Sequence, residues 1–454
     1  MSLASLLSIA RSALLAQQRA MSVTAHNVAN AQTQGYSRQR LELTAADPLR
    51  STLGTLGRGV TEASLQRIRD SFFDARYRTE SGLLADSGAM RDYLGEVESA
   101  MNEPSDSGVS AALDGLFGAF ADLAANPSGS TSRTLLQQAG RRFVNRMHQL
   151  DTALHEVGDA ALAKLRAEVD TVNQLAAQIG ELNAEILMAG GPSGNAPDLQ
   201  DQRDVLVDRL SSLVGVRVVE RPDGSIAVTA GDTLLVDGAY AQPLTVEPVT
   251  GGGFRVAAAS GSPVDPQAGS IAALLDVLDD ELPGIEGQLD SLVRALVTSV
   301  NTVHRSGYTL GGATGTDFFL SGGLTAGTIA LAPAVDASGD AIAAGATNGP
   351  GDGAIALQLS QLATAPMAIL GGKSLRDYYV DLAGTVGTGV SDASQDADVH
   401  QSMVDQADTM RSSVSGVSVD EEMVALISQQ QAYSAAARVV NVANQMLQDV
   451  LDMI

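Results

Sequence analysis

No cysteine occurs among the 454 residues, which excludes disulfides, thiol catalysis and cysteine-ligated zinc. Tryptophan is absent too and aromatics make up 4%, so side chains that could stack on bases are scarce. Basic residues number 28 against 53 acidic, a formal net charge of −25, and a nucleic-acid partner needs the opposite balance. No apolar run approaches the roughly 18 residues of a membrane span. The apolar start follows no basic segment and is cut by Arg11 and Arg19, so neither membrane insertion nor a cleavable secretory signal is expected. Only five histidines exist, and His148 and His155 are too far apart for the usual i, i+4 metal pair. His-Glu-x-x-His, Walker, nucleophile-elbow and calcium-loop patterns are all missing. The expectation is a non-enzyme with no catalytic, cofactor-binding or metal-binding residue.

What is present is long-range helical periodicity. Leu3, Leu7, Ala10, Leu14, Gln17, Met21, Thr24, Val28 and Ala31 form a seam of alternating four- and three-residue steps. Val419, Met423, Leu426, Gln430, Tyr433, Ala437, Val440, Asn444, Leu447, Leu451 and Ile454 form a second at the other end. Such spacing puts side chains on one helical stripe, as in a coiled coil. Residues 1–45 carry four arginines against one glutamate, and residues 415–454 carry one arginine against five acidic residues. Opposite signs suit pairing of the two ends, although exposed ion pairs contribute only about 0–1 kcal/mol each. The repeated Asn-Val-Ala-Asn at 27–30 and 441–444 points to small-residue contacts where the terminal helices meet. A chain with seams at both ends is built to pair its own termini or to hold neighbours in an assembly.

Between the seams, residues 36–67 read as extended segments and turns, with helix returning from about Ile68. Pro104 and Pro127 bound a helix near 107–125. A very long helix follows to about Ala189, its stripe running Phe143, Met147, Leu150, Leu154, Val157, Ala161, Leu165, Val169, Val172, Ala176, Ile179. The consecutive four-residue steps at 161–165–169 are a stutter. A loop from Gly190 to Pro197 leads to a helix near 198–213. Asp198, Asp201, Asp204 and Asp208 step along one face of that helix and read as a solvated face, while His26 reads as packed or exposed. From Val216 the period becomes two, with a Pro222-Asp223-Gly224-Ser225 turn, the mark of short hairpin strands. Helix resumes at Ser270 with a kink expected at Pro283. Residues 307–353 read as loops with short strands, and 374–413 as helix. The fold class is mainly α with a β insert. Terminal coiled-coil helices (1–45 and 415–454) and a helical-bundle rod with short β segments (46–213 and 269–414) frame a small outer β domain (214–268).

The stretch His26-Asn27-Val28-Ala29-Asn30 with Thr33-Gln34-Gly35-Tyr36-Ser37-Arg38 resembles the N-terminal motif of bacterial flagellar axial proteins. Its ending, with Asp198-Leu199-Gln200-Asp201-Gln202-Arg203-Asp204, Leu282-Pro283 through His304-Arg305-Ser306-Gly307-Tyr308, and Gly315-Thr316-Asp317-Phe318-Phe319, is similar to the hook-associated, hook–filament junction branch. So are Ser413–Glu422, Gln429-Gln430-Gln431-Ala432-Tyr433 and Asn441-Val442-Ala443-Asn444. The β insert is modest beside the larger family members. The resemblance implies a structural subunit with no cofactor, exported without a cleavable signal peptide through the flagellar type III pathway. It would form a ring-like polymer with itself at the hook tip, outside the cell. Hook protein below, hook-associated protein 3 above and an export chaperone on the C-terminal helices are the implied partners. The implied assembly interface is Leu3, Leu7, Leu14, Met21, Asn27, Val28, Asn30, Gly35, Tyr36, Val419, Met423, Leu426, Tyr433, Val440, Asn441, Asn444, Leu447 and Leu451. Other readings are a hook- or filament-type subunit, or a cytosolic coiled-coil scaffold.

Overall fold

A computed structural model describes residues 3–51, 54–190, 195–349 and 351–453. Ile454 of the C-terminal seam and part of the Gly190–Pro197 loop lie outside the described residues.

The chain opens with α1 (Leu3–Ala29) and closes with α11 (Val419–Asp452). Asn27 of α1 meets Glu422, and Thr24 meets Gln429, so the two helices run antiparallel. The fully buried positions of their contact are small or polar, Ala10, Ala16, Thr24, Asn27, Glu422 and Ala443, with larger apolar side chains half-buried around them. Ser418 caps α11 by accepting from the Glu421 backbone N–H at 3.4 Å, the capping-box spacing. On α11 the inward stripe is Glu422, Leu426, Gln429, Ala436, Val440, Ala443 and Leu447. This corrects the phase of the sequence-derived seam: Val419, Met423, Gln430, Asn444 and Leu451 are exposed. Both stripes step by four and three, and alanines, light in hydropathy, mark the one that packs. The Asn-Val-Ala-Asn echoes do not meet, because antiparallel pairing puts 441–444 at the far end of α1 from Asn27.

Beside α1 lies an antiparallel pair, β1 (Gln39–Ala45) and β4 (Val60–Arg67), continued by β2 (Leu49–Ser51) and β3 (Gly54–Leu56). Arg19 pairs with Glu62. Gly59 has φ +94°, and a Cβ there would strike Ser12 of α1, so only glycine allows this approach.

The rod is α2 (Ser71–Met101), α3 (Val109–Ala125), α4 (Ser130–Gly190), α5 (Pro197–Val214), α6 (Ser270–Asp276), α7 (Leu282–Arg305) and α10 (Leu375–Ser415). At 61 residues, α4 is on the order of 90 Å long. Its expected stripe is buried throughout, from Phe143 to Ile179. α10 runs along α2. A π turn, Val277–Glu281, sits between α6 and α7, just before Pro283, whose ring lacks an N–H and crowds the carbonyl four residues back. The expected disturbance at Pro283 is thus taken up in a π turn.

The β insert has two sheets. One has the order β5 (Val216–Glu220), β6 (Ile226–Ala230), β7 (Thr233–Asp237), β8 (Tyr240–Ala241); the other is β11 (Pro263–Val264), β10 (Phe254–Ala258), β9 (Leu244–Pro248). Two asparagines of α4 fix it to the rod. Asn173 exchanges hydrogen bonds with the Leu244 backbone, and Asn183 donates to Ile226 O and Gly238 O while accepting from Ile226 N.

The 307–353 stretch differs from expectation. Among its described residues only isolated bridges such as Phe319↔Leu331 occur, with a short helix, α8 (Pro333–Ala337), before α9 (Ala354–Gln361). Phe318, Phe319, Ile329, Leu331, Val335 and Ile342 of this stretch are buried, while Leu310 and Leu320 are exposed. Two polar side chains of α7 hold the loop. Asn301 Oδ1 accepts from the N–H groups of Phe318 and Phe319, and its amide donates to Phe319 O. His304 Nδ1 donates to Thr316 O at 2.7 Å and Nε2 accepts from Ala343 N at 2.9 Å. That pairing fixes the neutral imidazole, and burial holds its pKa below the ordinary value.

Candidate functional site

Two chain segments leave the terminal helices, residues 30–38 from α1 to β1 and 416–418 between α10 and α11, and the Arg38 N–H ties the first to the end of α10 by donating to Ser415 O at 2.8 Å. Asn27 lies at the centre, 1% exposed. Its amide donates to Gln39 O (2.9 Å) and Glu422 Oε2 (3.1 Å). Its oxygen accepts from the Tyr36 hydroxyl (2.8 Å) and Gln39 N–H (3.0 Å). Every hydrogen-bonding position of the side chain is filled, so this buried amide specifies one geometry. Arg38 completes the closure, donating to Glu422 at 2.7 Å and Glu421 at 2.9 Å. Tyr36 has its pKa raised by burial and by Asp198, Asp201 and Glu422, so the hydroxyl stays a donor.

Beneath the connector lies the acidic face of α5, of which Asp198 is exposed as the sequence pattern was read and the rest is not. Asp201 and Asp204 are buried. Arg67 reaches Asp201 at 2.9 Å and Asp204 at 2.7 Å. Arg69 reaches Asp204 at 3.1 Å while gripping Asp74 through two nitrogens. Arg78 bridges Asp204 (3.2 Å) and Asp208 (2.6 Å), and Arg411 of α10 takes the other oxygen of Asp208 at 2.7 Å while lying over the Tyr77 ring. Burial opposes charge on Asp204, but Arg69, Arg67 and Arg78 outweigh it and hold its pKa well below the carboxylate range. For Asp201 burial wins over Arg67 and the Ser37 N–H, and its pKa is raised. Asp198 meets Gln39 Nε2 at 2.6 Å and His26 at 3.3 Å, so His26 is partnered. These carboxylates are engaged by cations and N–H groups, an arrangement that fixes geometry. Among the described residues no group of three or more His, Asp or Glu is placed to hold a metal ion.

The sequence-derived residues divide between this joint and the helix pair. Asn27, Asn30, Gly35 and Tyr36 gather at the joint. Asn30 Oδ1 accepts from Thr33. Gly35 has φ +79°, and a Cβ on it would collide with Val205 of α5. Leu3, Leu7, Leu14, Met21, Val28, Leu426, Val440 and Leu447 are half-buried along the pair. Val419, Met423, Tyr433, Asn441, Asn444 and Leu451 face solvent in the single chain. Sequence reasoning missed Arg67, Arg69, Arg78 and Arg411. The available signal was an Arg-x-Arg pair ahead of a helix, with four aspartates on one face elsewhere.

Comparisons with known proteins agree across the chain. Residues 94–319 match the family model for the flagellar hook-associated protein FlgK helical domain. Residues 7–36 match that for flagella basal body rod proteins, and 411–453 that for the C-terminal part of basal body rod FlgEFG proteins. Flagellar hook-associated protein 1 of Bacillus subtilis is 32% identical, over 98% of this chain and 97% of that protein. Its namesake in Salmonella typhimurium is 29% identical over 70% of this chain and 60% of its own length. A solved structure of the flagellar hook junction protein FlgK from Burkholderia pseudomallei shares the fold, with TM-score 0.65, 15% identity, and cover of 75% of this chain and 100% of that one. With near full-length similarity to the Bacillus subtilis protein, the chain belongs to the flagellar hook-associated protein 1 family.

Proposed function

We propose that this chain is the non-enzymatic adaptor of the hook–filament junction, polymerising as a ring layer at the hook tip with its terminal helices as the assembly interface. One observation supports this above others: the terminal helix pair is unfinished as a monomer. On α11 the inward stripe faces α1, yet Val424, Val439, Val442 and Met446 on one flank and Val419, Met423 and Ile427 on the other remain exposed. Apolar flanks of this kind mark surfaces that neighbours cover. The partners in this reading are further copies, hook protein below, hook-associated protein 3 above, and an export chaperone that shields the C-terminal helices before secretion. The place of action is outside the cell, reached by type III export. The domain roles follow: residues 1–45 and 415–454 form the inner tube, 46–213 and 269–414 the surrounding rod, 214–268 the outer β domain.

The test separates the two faces of α11. Met446→Asp and Val442→Asp put a charge into the surface that assembly dries, where an unpaired charge costs on the order of several kcal/mol. In the monomer both side chains meet water, so melting shifts by about 0.5 kcal/mol or less. The expected phenotype is a secreted, folded protein that fails to cap the hook, with filament subunits lost to the medium. Normal filament attachment by both variants, or strict cytoplasmic retention of the unmodified protein, rejects the proposal.

A further inference from the structure

The carboxylate row of α5 does not serve one purpose along its length. Its inner end is locked inside the rod: Asp204 is buried among Arg67, Arg69 and Arg78, and Asp208 is shared by Arg78 and Arg411. Its outer end points at the connector. Asp198 holds Gln39 and His26, its side chain 59% exposed, while Asp201 is buried, accepting from the Ser37 N–H at 2.9 Å and from Arg67, which it shares with Asp204. Arg69 adds a long contact to Ser37 Oγ at 3.4 Å. The connector is cross-tied to the terminal pair by the side chains of Asn27 and Arg38, and to the end of α10 by the Arg38 N–H on Ser415 O. On the side next to this attachment a cavity of about 440 Å³ opens between the connectors and the rod, bordered by Gly35, Tyr36, Arg69, Asp204, Asp208 and Gly416. A joint with an empty space on one side can tilt without repacking a core, since close-packed interiors resist such movement.

We infer that α5 is a two-ended latch, whose inner aspartates are welded to the rod while Asp198 and Asp201 at its outer end set the angle between the terminal helix pair and the rod. The Asp198 contacts lie in water whereas the arginine-held carboxylates are buried, and salt screens exposed charges far more than buried ones, so the contact at Asp198 yields first and the inner end does not. In this arrangement Asp198, Asp201 and Gln39 are positioning residues, acting through the connector on helices they do not themselves extend. The inference concerns the free chain, so its test does not depend on the junction reading.

Because the chain has no cysteine, a spin-label pair at Ser428→Cys on α11 and Ala177→Cys on α4 reports the angle in the full-length monomer. Both positions are exposed. The expected result is one narrow distance distribution at low salt that widens at high salt. Asp198→Ala, and the double variant Asp198→Ala with Asp201→Asn, should show the widened distribution already at low salt. For Asp198→Ala, thermal melting of the rod is unchanged. Asp204→Asn should lower the melting temperature yet keep the narrow distribution well below it. An unchanged distribution in both Asp198 variants overturns the inference, and so does equal widening by folded Asp204→Asn, which would make α5 a single weld. Motility and filament attachment, scored separately, judge the junction proposal.

Discussion

The rod and the terminal helix pair are both made of long helices, but they bury different things. Along α4 the inward side chains are Phe143, Met147, Leu150, Leu154 and Leu165, each 0–1% exposed. Fully burying such a side chain is worth roughly 1.5–3 kcal/mol. Along the terminal pair the buried positions are Ala10, Ala16, Thr24, Asn27 and Ala443, which remove little apolar surface from water. The rod is self-sufficient. The pair is a specific but thinly bonded element, held in register by Asn27, and the apolar flanks of α11 stay exposed in the single chain. A subunit that must fold first and assemble afterwards has reason to keep these two kinds of helix contact apart.

The largest expected effect comes from charging the rod. Leu150→Asp leaves an unpaired carboxylate in a dry core, costing on the order of several kcal/mol, and should unfold the monomer or make it insoluble in a denaturant titration. If it melted no lower than Met446→Asp, the contrast between the two regions would be wrong.

Next is the ionic joint. Asp204→Asn leaves Arg67, Arg69 and Arg78 facing one another without their central anion, and losing one partner of a buried pair costs about 3–5 kcal/mol. The pH dependence has a definite sign. Asp204 is held below its unfolded value, so its contribution is present above the unfolded carboxylate pKa, about 4, and is lost as pH falls toward the folded pKa. A chemical-denaturation series from pH 7 to pH 2 should therefore show a loss in the natural chain that Asp204→Asn largely lacks.

Gly35→Ala is a smaller change with a backbone cause. Positive φ and the approach of Val205 together cost on the order of 1–3 kcal/mol, read as a lower melting temperature with amide shifts centred on residues 30–38. Leaving both unchanged would show that the connector does not need glycine there.

The smallest effect runs the other way. Burial, with Asp276 nearby, pushes the Asp86 carboxyl up to about 6. A raised carboxyl pKa means stability is lost as pH rises from the unfolded value toward 6. Asp86→Asn should then stabilise the rod at pH 7 by roughly 1 kcal/mol at most, given its partial exposure and solvent screening. No gain at pH 7, or a gain confined to acid, would contradict this.

Much of the architecture was legible because it is written in local period. The buried stripe of α4 reads off Phe143 to Ile179 with no knowledge of what it packs against. The β5–β6 hairpin is announced by Asp223-Gly224. Other features failed for identifiable reasons. The 307–353 stretch carries neither period, because its order comes from Asn301 and His304 reaching into it from α7. The phase of the α11 seam was misread because large side chains outweigh alanine in any hydropathy pattern, although alanine permits the close approach of two helices.

The residues that hold the joint show where the boundary falls. Helix length, the two apolar periods, the absence of cysteine and the opposite charge of the two ends are properties of neighbouring residues, and the sequence by itself determined them. Whether Asp198, Asp201, Asp204 and Asp208 meet water or arginine is not such a property. The same spacing serves a solvated face and a buried one, and the difference lies in Arg67, Arg69, Arg78 and Arg411, brought from β4, the link that follows it, α2 and α10. Only the tertiary structure decided that, since the field at a carboxylate depends on what lies within a few ångströms in space and not on distance along the chain.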